Sequence, residues 1–259
     1  MFTQLQRDNV IYTEIRFAPL LHLQKGLAPE EVVEIVADSV SESTISSGKT
    51  AGLILCTLRH DNEAQSLQTI KLVERYISHT QVAGFDIASD EAGYPIDSHK
   101  SASVYVAKND IPRTAHAGEA KGADSVWETL RYFKPQRIGH GVRSIKDEQL
   151  IEHLIEKKIH LEICSTSNVQ TNIYKQYSDH PINLLFDAGV SVSVNTDARS
   201  LVNVSLTDEY VKLANEFDWD IDHYYRCNKN ALTHAFIADD EKEELQKVLL
   251  SKYSRYFAG

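Results

Sequence analysis

The sequence lacks the features that mark membrane, secreted, redox and nucleic-acid-binding proteins. No run approaches the roughly 18 consecutive apolar residues of a membrane span, and the first residues lack the apolar core of a secretion signal. The three cysteines are far apart and form no Cys-x-x-Cys pattern, which indicates reduced, buried thiols rather than disulfides. No block of Lys and Arg occurs. These absences predict a soluble, cytoplasmic protein that binds neither membranes nor nucleic acid.

The chain has an acidic balance of charge. It contains 27 Lys and Arg residues against 37 Asp and Glu residues, a net charge of −10 over 259 residues. Such a chain repels anionic ligands mildly, so a neutral small molecule is the favoured substrate. The length suffices for one large domain with a sizeable core, or for two small ones.

Short apolar runs alternate with longer segments of helical periodicity. The runs are apolar almost throughout, as is typical of strands covered on both faces. Repeated β–α units predict a parallel sheet, either doubly wound or closed into a (β/α)8 barrel. No glycine-rich nucleotide-binding loop follows any run, which favours the barrel, although a barrel needs eight strands and seven runs are found. The runs are 10–19, 51–59, 82–88, 114–117, 137–142, 160–164 and 190–195.

The segments between the runs carry helix signals. Pro29 opens one predicted helix, and Pro181 and Gly189 frame a short one. Ser205 and Asp208 have the spacing of a capping box. Apolar stripes predict further helices within 67–77, 126–133, 150–155, 223–236 and 239–256.

Polar residues follow several of the predicted strands, where barrel enzymes place their chemistry. His116 and Glu119 follow one strand, His140 ends the next, and Asp197 follows the last. One such residue alone is more often a hydrogen-bonded structural group than a ligand. Together they favour a site for Zn2+ or a similar divalent metal, but an incomplete one, because catalytic zinc has three or more protein ligands. Glycines beside His116 and His140 would let a ligand approach the backbone.

Four segments at these positions resemble the signature blocks of adenosine deaminases: 116–120, 137–143, 161–171 and 194–197. Segments 12–19, 53–60 and 85–91 are similar too, so the resemblance runs through nearly the whole chain. The chain is therefore identified as a member of the adenosine deaminase family of zinc amidohydrolases. The resemblance implies a (β/α)8 TIM barrel of the metal-dependent hydrolase type, with residues 1–259 forming a single domain.

The resemblance also implies roles for individual residues. His116 would be a zinc ligand, and Asp197 a zinc ligand that also orients and deprotonates the attacking water. Glu119 would hydrogen-bond and protonate purine N1, and His140 would steady the hydroxide and the developing tetrahedral centre. Ser89 stands where the backbone of a family glycine contacts purine N3. The implied activity is zinc-dependent deamination of adenosine and deoxyadenosine, a small-molecule purine nucleoside reaction of purine salvage.

The sequence also departs from the family pattern. The family carries a His-x-His pair on its first barrel strand, which supplies two further zinc ligands, and no such pair occurs in this chain. Together with the count of seven strands, this predicts a barrel that lacks its first strand and is truncated at the N-terminus. Ala198 replaces a residue whose side chain contacts purine N7, and Ser165 replaces a more usual proline.

Two alternatives therefore stay open. An adenine deaminase would share the metal chemistry and differ in the pocket for ribose, and Ala198 is compatible with it. A non-catalytic, truncated relative is the other alternative, because the loss of two of the four zinc ligands should collapse metal affinity.

Overall fold

A computed structural model describes residues 1–257, and within them seven strands alternate with helices. Each strand lies within or against one predicted run, so the predicted alternation of α and β elements is confirmed. The strands are β1 (Tyr12–Phe17), β2 (Thr50–Leu58), β3 (Val82–Ala88), β4 (Thr114–Ala117), β5 (Arg137–His140), β6 (His160–Ile163) and β7 (Val192–Val194).

The strands form two sheets, in the orders β1-β2-β3 and β4-β5-β6-β7. β1 pairs with β2, and β2 with β3, in parallel. β6 pairs in parallel with both β5 and β7. Because parallel strands end at the same edge of their sheet, residues that follow neighbouring strands are brought close together.

Twelve α-helices connect and follow these strands in the described residues. Ser205 and Asp208 form the predicted capping box at the start of the helix Leu206–Phe217, and Gly189 follows the helix Ile182–Asp187 with a positive φ. Four short helices had no clear signal in the sequence: Phe2–Arg7, Lys100–Lys108, Ser165–Gln170 and Arg199–Val202. The helices are α1 (Phe2–Arg7), α2 (Pro29–Ser47), α3 (Glu63–Tyr76), α4 (Lys100–Lys108), α5 (Ala123–Phe133), α6 (Glu148–Glu156), α7 (Ser165–Gln170), α8 (Ile182–Asp187), α9 (Arg199–Val202), α10 (Leu206–Phe217), α11 (Ile221–Thr233) and α12 (Asp239–Phe257).

The chain forms two compact units, and the first contains Met1–His116 and Trp127–Gln136. Its core lies on the sheet β1-β2-β3, where Leu53, Leu55 and Phe85 are fully buried. The rings of Phe85 and Phe133 stack with centroids 6.3 Å apart. The prediction of one domain over residues 1–259 stays a prediction.

The second unit contains Ala117–Val126 and the chain from Arg137 onward. Helix α11 packs on β7, and the Asn230 side chain donates a hydrogen bond to the Val192 carbonyl over 3.2 Å. Throughout the described residues, no helix is both long enough and apolar enough to cross a membrane. The three cysteines are buried thiols, as predicted.

Candidate functional site

The five predicted site residues divide between the two units. Ser89 follows β3 and His116 lies in β4, both in the first unit. Glu119, His140 and Asp197 belong to the second unit.

His116 is held in one tautomer by a buried carboxylate. The two carboxylate oxygens of Asp86 lie 3.0 and 3.3 Å from His116 Nδ1, and Asp86 is fully buried. A carboxylate accepts hydrogen bonds, so Nδ1 carries the proton and Nε2 carries the lone pair. Arg16 Nη1, which can only donate, lies 3.4 Å from Nε2 and agrees with this tautomer. This is the arrangement by which carboxylates orient metal-ligating histidines in proteins.

The backbone of His116 is also fixed. Arg59 is buried, and its Nη2 donates to the His116 carbonyl over 2.8 Å while its Nη1 donates to the Tyr94 carbonyl over 3.2 Å. Burial lowers the pKa of Arg59 from its usual value, and the carboxylate of Glu91 opposes this shift. Through its hydrogen bond to the His116 carbonyl, Arg59 therefore fixes the backbone of β4 at this residue.

Ser89 takes a backbone conformation that favours glycine. Its φ is +81°, in the left-handed region, and its side chain is exposed with Oγ 3.4 Å from His60 Nδ1. The resemblance places a glycine at this position, and the backbone geometry that a glycine would adopt is retained although the residue is serine.

We expect Ser89→Gly to stabilise the protein by about 0.5–1 kcal/mol. A residue with a Cβ is destabilised by about 1–2 kcal/mol at positive φ, and glycine removes this strain. Part of the gain is lost because glycine makes the unfolded chain more flexible. The measurement is the free energy of unfolding from urea titrations. The matched control, Ser39→Gly at an exposed position in the middle of α2, should destabilise, because glycine costs about 0.5–1 kcal/mol inside a helix. Equal effects of the two substitutions would contradict the assignment of strain to Ser89.

In the second unit, the turns that follow β4 and β5 are joined by backbone hydrogen bonds. Gly141 N donates to the Ala117 carbonyl over 3.0 Å, and Arg143 N donates to the Gly118 carbonyl over 2.9 Å. These bonds hold the segment that carries Glu119 beside the end of β5, which carries His140.

Gly118 and Gly141 are required by packing and backbone conformation. Both have a φ of +67°, and a Cβ on Gly118 would lie 2.5 Å from Val126 Cγ2. A Cβ on Gly141 would lie 2.6 Å from Leu161 Cδ2. Both glycines therefore have a packing reason internal to the unit, and the expectation that they make room for a ligand stays a prediction.

Glu119 and His140 form a carboxylate–imidazole pair joined by a residue that sequence reasoning did not single out. Glu119 Oε2 lies 3.6 Å from His140 Nε2. Asn168, on α7, donates from Nδ2 to Glu119 Oε1 over 3.1 Å, and the same nitrogen lies 3.1 Å from His140 Nδ1. His140 and Asn168 are buried and Glu119 is half-buried. The carboxylate of Glu119 thus lies between the buried imidazole of His140 and the buried amide of Asn168, and it is partly exposed to solvent.

A second buried histidine supports Asn168 from the other side. His180 Nε2 lies 3.2 Å from Asn168 Oδ1, and the Ile182 backbone N–H donates to His180 Nδ1 over 3.2 Å. Burial, with a smaller contribution from the nearby His140, lowers the pKa of His180 to about 3. The only signals in the sequence were the polar block 161–171 for Asn168 and the helix that begins after Pro181 for His180.

The depressed pKa of His180 predicts that stability falls in acid. Below pH about 6.5, His180 binds a proton in the unfolded chain but stays neutral in the folded chain. The contribution of His180 to the free energy of unfolding is therefore fully present above that pH and declines towards pH 3. We expect a loss on the order of 1.4 kcal/mol per pH unit from this residue. Urea titrations between pH 7 and pH 4 measure it, with His180→Gln as comparison. An equal dependence of the free energy of unfolding on pH in the two proteins would contradict this assignment.

Asp197 also has a strained backbone and a fixed side chain. Its φ is +54°, and Ser167 Oγ donates to Asp197 Oδ2 over 2.7 Å. His140 likewise has a positive φ, of 62°. Non-glycine residues held at positive φ are concentrated at functional sites.

Three side chains of the second unit bring potential metal donors together. One ligand atom from each of His140, Cys164 and Asp197 lies within 4.8 Å of the others. His140 and Cys164 are buried and Asp197 is exposed. Sequence reasoning identified two of these residues and treated Cys164 only as a buried thiol.

Two departures from the family pattern are placed by the structure. Ser165 is the first residue of α7, a position where proline is also favoured, so this exchange is compatible with the helix. Ala198 is exposed and precedes α9, and its methyl group offers no hydrogen bond.

The family model described as adenosine deaminase matches residues 1–252. An adenosine deaminase of Clostridium acetobutylicum is 37% identical over 244 residues, which cover 94% of this chain and 72% of that protein.

Solved structures agree in fold. An adenine deaminase of Arthrobacter aurescens superposes with a TM-score of 0.89 at 25% identity, covering 100% of this chain and 77% of that one. A zinc-bound amidohydrolase of Burkholderia ambifaria gives 0.90 at 18% identity, covering 98% and 71%. An Arabidopsis protein in complex with IMP gives a TM-score of 0.88 at 23% identity, covering 98% and 75%. The predicted barrel fold of the metal-dependent hydrolase type is thereby confirmed.

Proposed function

Because the chain belongs to the adenosine deaminase family, we propose that it catalyses the hydrolytic deamination of adenosine and deoxyadenosine, releasing ammonia and leaving inosine and its deoxy form. The observation that carries the proposal is the pairing of Glu119 with His140 at 3.6 Å, since a carboxyl group and an imidazole are the groups that proton transfer needs. The proposed setting is purine salvage in the cytoplasm.

Glu119 is the proposed proton donor. Attack of water at C6 breaks the aromaticity of the purine, so a proton must reach N1 at the same time. Asn168 donates to Glu119 Oε1, and the carboxyl group is half-buried, so we propose that it carries a proton towards substrate. Holding the carboxyl group in one orientation lowers the entropic cost of that transfer.

His140 is the proposed partner of the attacking oxygen. It is buried at the end of β5, and its Nε2 lies 3.6 Å from Glu119 Oε2. A buried imidazole in a site of low dielectric stabilises developing charge more strongly than one in water.

Each unit supplies donors of the kind that zinc binds, while the two histidines of the family's His-x-His pair are absent from this chain. In the first unit, Asp86 keeps the proton of His116 on Nδ1 and leaves the lone pair on Nε2, the form that a ligating histidine needs. In the second unit, the carboxylate of Asp197 is an oxygen donor of the kind that zinc binds. We propose His116 as the ligand of the first unit and Asp197 as that of the second. When bound, zinc lowers the pKa of water towards about 7 and so supplies a nucleophile at neutral pH.

Ser89 is the proposed contact to purine through its backbone. Its positive φ supports this role, because the main chain then follows the path of a glycine. With Ala198 in place of a side chain that contacts N7, we expect purine affinity to rest on the remaining contacts.

An ammonia-release assay tests the proposed activity. The purified chain, supplied with zinc, is incubated separately with adenosine, deoxyadenosine, adenine and AMP. Release from the two nucleosides ahead of adenine and AMP is the expected result. Faster release from adenine would favour the adenine deaminase alternative. No release from any of the four would contradict the proposal and favour a non-catalytic relative, consistent with the missing His-x-His pair.

A further inference from the structure

Asn168 lies at the centre of a buried hydrogen-bond chain, of which the proposed reaction uses only the bond to Glu119. Its side chain is fully buried on α7 and approaches the side chains of Glu119, His140 and His180. Its backbone carbonyl accepts hydrogen bonds from the N–H groups of residues 173 and 174, over 2.9 and 3.2 Å. We call the hydrogen-bonded set Ile182 N–H, His180, Asn168, His140 and Glu119 the Asn168 network.

The direction of every hydrogen bond in the Asn168 network follows from one backbone group. The Ile182 N–H can only donate, and it points at His180 Nδ1 over 3.2 Å. Nδ1 therefore carries a lone pair. Since burial keeps His180 neutral over the physiological range, its single proton is on Nε2.

The tautomer of His180 determines the orientation of the Asn168 amide. His180 Nε2–H donates over 3.2 Å, so the atom of Asn168 that faces it is the oxygen, Oδ1. The two N–H groups of Nδ2 then face the other side, towards Glu119 Oε1 and His140 Nδ1, each 3.1 Å away. Rotating the amide by half a turn would oppose oxygen to carboxylate oxygen and N–H to N–H.

The orientation of Asn168 in turn determines the tautomer of His140. Because Nδ2–H donates to His140 Nδ1, that nitrogen carries a lone pair and the ring proton is on Nε2. Nε2 is the nitrogen that lies 3.6 Å from Glu119 Oε2. His140 thus turns a hydrogen-bond donor, rather than a lone pair, towards the carboxylate.

We propose that Asn168 and His180 are positioning residues that hold His140 in the Nε2–H tautomer. In that form His140 donates a hydrogen bond to the oxygen that attacks the purine, and the same amide orients the carboxyl group of Glu119. The catalytic consequence rests on the proposed function, whereas the tautomer itself does not. A histidine in the wrong tautomer can keep its place and still lose most of its effect on the rate.

Nitrogen NMR of the imidazole rings tests the tautomer directly in the full chain. Uniformly 15N-labelled protein gives a pyridine-type shift for a bare nitrogen and a pyrrole-type shift for a protonated one, and His140→Ala assigns the signals. We expect a pyridine-type Nδ1 and a pyrrole-type Nε2 at His140. The opposite pattern in the unsubstituted protein would overturn the proposal.

Two substitutions separate orientation from packing. Asn168→Asp keeps the shape of the side chain and replaces its N–H donors by oxygen, so His140 Nδ1 should become pyrrole-type. His180→Phe keeps a ring against Tyr174, whose centroid lies 5.1 Å away, and removes the donor to Asn168. His180→Gln supplies an amide donor in its place. Unchanged His140 shifts in both Asn168→Asp and His180→Phe would overturn the proposal.

Kinetics supply the second arm of the test. Asn168→Asp and His180→Phe should lower kcat for adenosine by about 10- to 100-fold, the usual effect of losing a supporting hydrogen bond, with KM within about threefold. His180→Gln should recover about tenfold of the kcat lost in His180→Phe. A rise in KM alone would contradict a positioning role. If the unsubstituted chain does not deaminate adenosine, the proposed function fails while the NMR result still decides the tautomer.

Discussion

Glu119→Gln is expected to lower kcat for adenosine by about 100- to 10,000-fold, the range that general acid catalysis supplies. The glutamine amide oxygen can still accept the hydrogen bond that Asn168 donates over 3.1 Å, so the side chain should stay in place. The amide has no acidic proton to deliver to purine N1. The substitution therefore removes the proton donor and keeps the shape of the side chain.

Steady-state kinetics with adenosine, together with urea unfolding, measures this effect. The matched control is Glu216→Gln on α10, an exposed carboxylate of the same unit, and it should change neither kcat nor stability appreciably. Stability of Glu119→Gln should stay close to that of the unsubstituted protein. A kcat reduced by less than about tenfold would contradict the role of Glu119 as the proton donor.

Asp197→Asn is expected to weaken zinc binding by more than about 100-fold, since even groups behind the ligands typically cost 10- to 100-fold when altered. A neutral amide is a poorer ligand for zinc than a carboxylate. Asparagine tolerates positive φ well, so the backbone at φ +54° should not be disturbed. Deamination should fall together with the metal content.

Metal analysis after exposure to zinc and dialysis measures the loss. Asp218→Asn is a closely matched control, because Asp218 is an exposed carboxylate of the same unit with a φ of +56°. It should leave zinc content and activity unchanged. Equal zinc retention in Asp197→Asn and the unsubstituted protein would contradict the assignment of Asp197 as a ligand.

Elements that bury a continuous apolar run could be read from the sequence. β3 and β4 begin and end where the pattern predicts, and α10 begins at its predicted capping box. Helix α7 could not be predicted, because Ser165–Gln170 has no apolar stripe and its buried face is polar. Its residues are buried by tertiary contacts that hydrophobic periodicity does not record.

The candidate site was predictable only in part, for a similar reason. Strand ends identified His116, Glu119, His140 and Asp197, and a resemblance was needed to give them roles. The partners that orient them lie far away in sequence, as Asp86 does from His116 and as Asn168 does from His140. Tautomers and amide orientations depend on such contacts, which spacing along the chain does not reveal.

Deamination in water enriched in heavy oxygen is the most direct test of the proposed activity. The zinc-loaded chain is incubated with adenosine in this water, and the purine product is analysed by mass spectrometry. The hydrolytic mechanism predicts inosine that carries one heavy oxygen at C6, formed by the unsubstituted chain and strongly reduced in Glu119→Gln. Adenosine recovered unchanged with enzyme in stoichiometric amount, or inosine formed equally fast by Glu119→Gln, would contradict it.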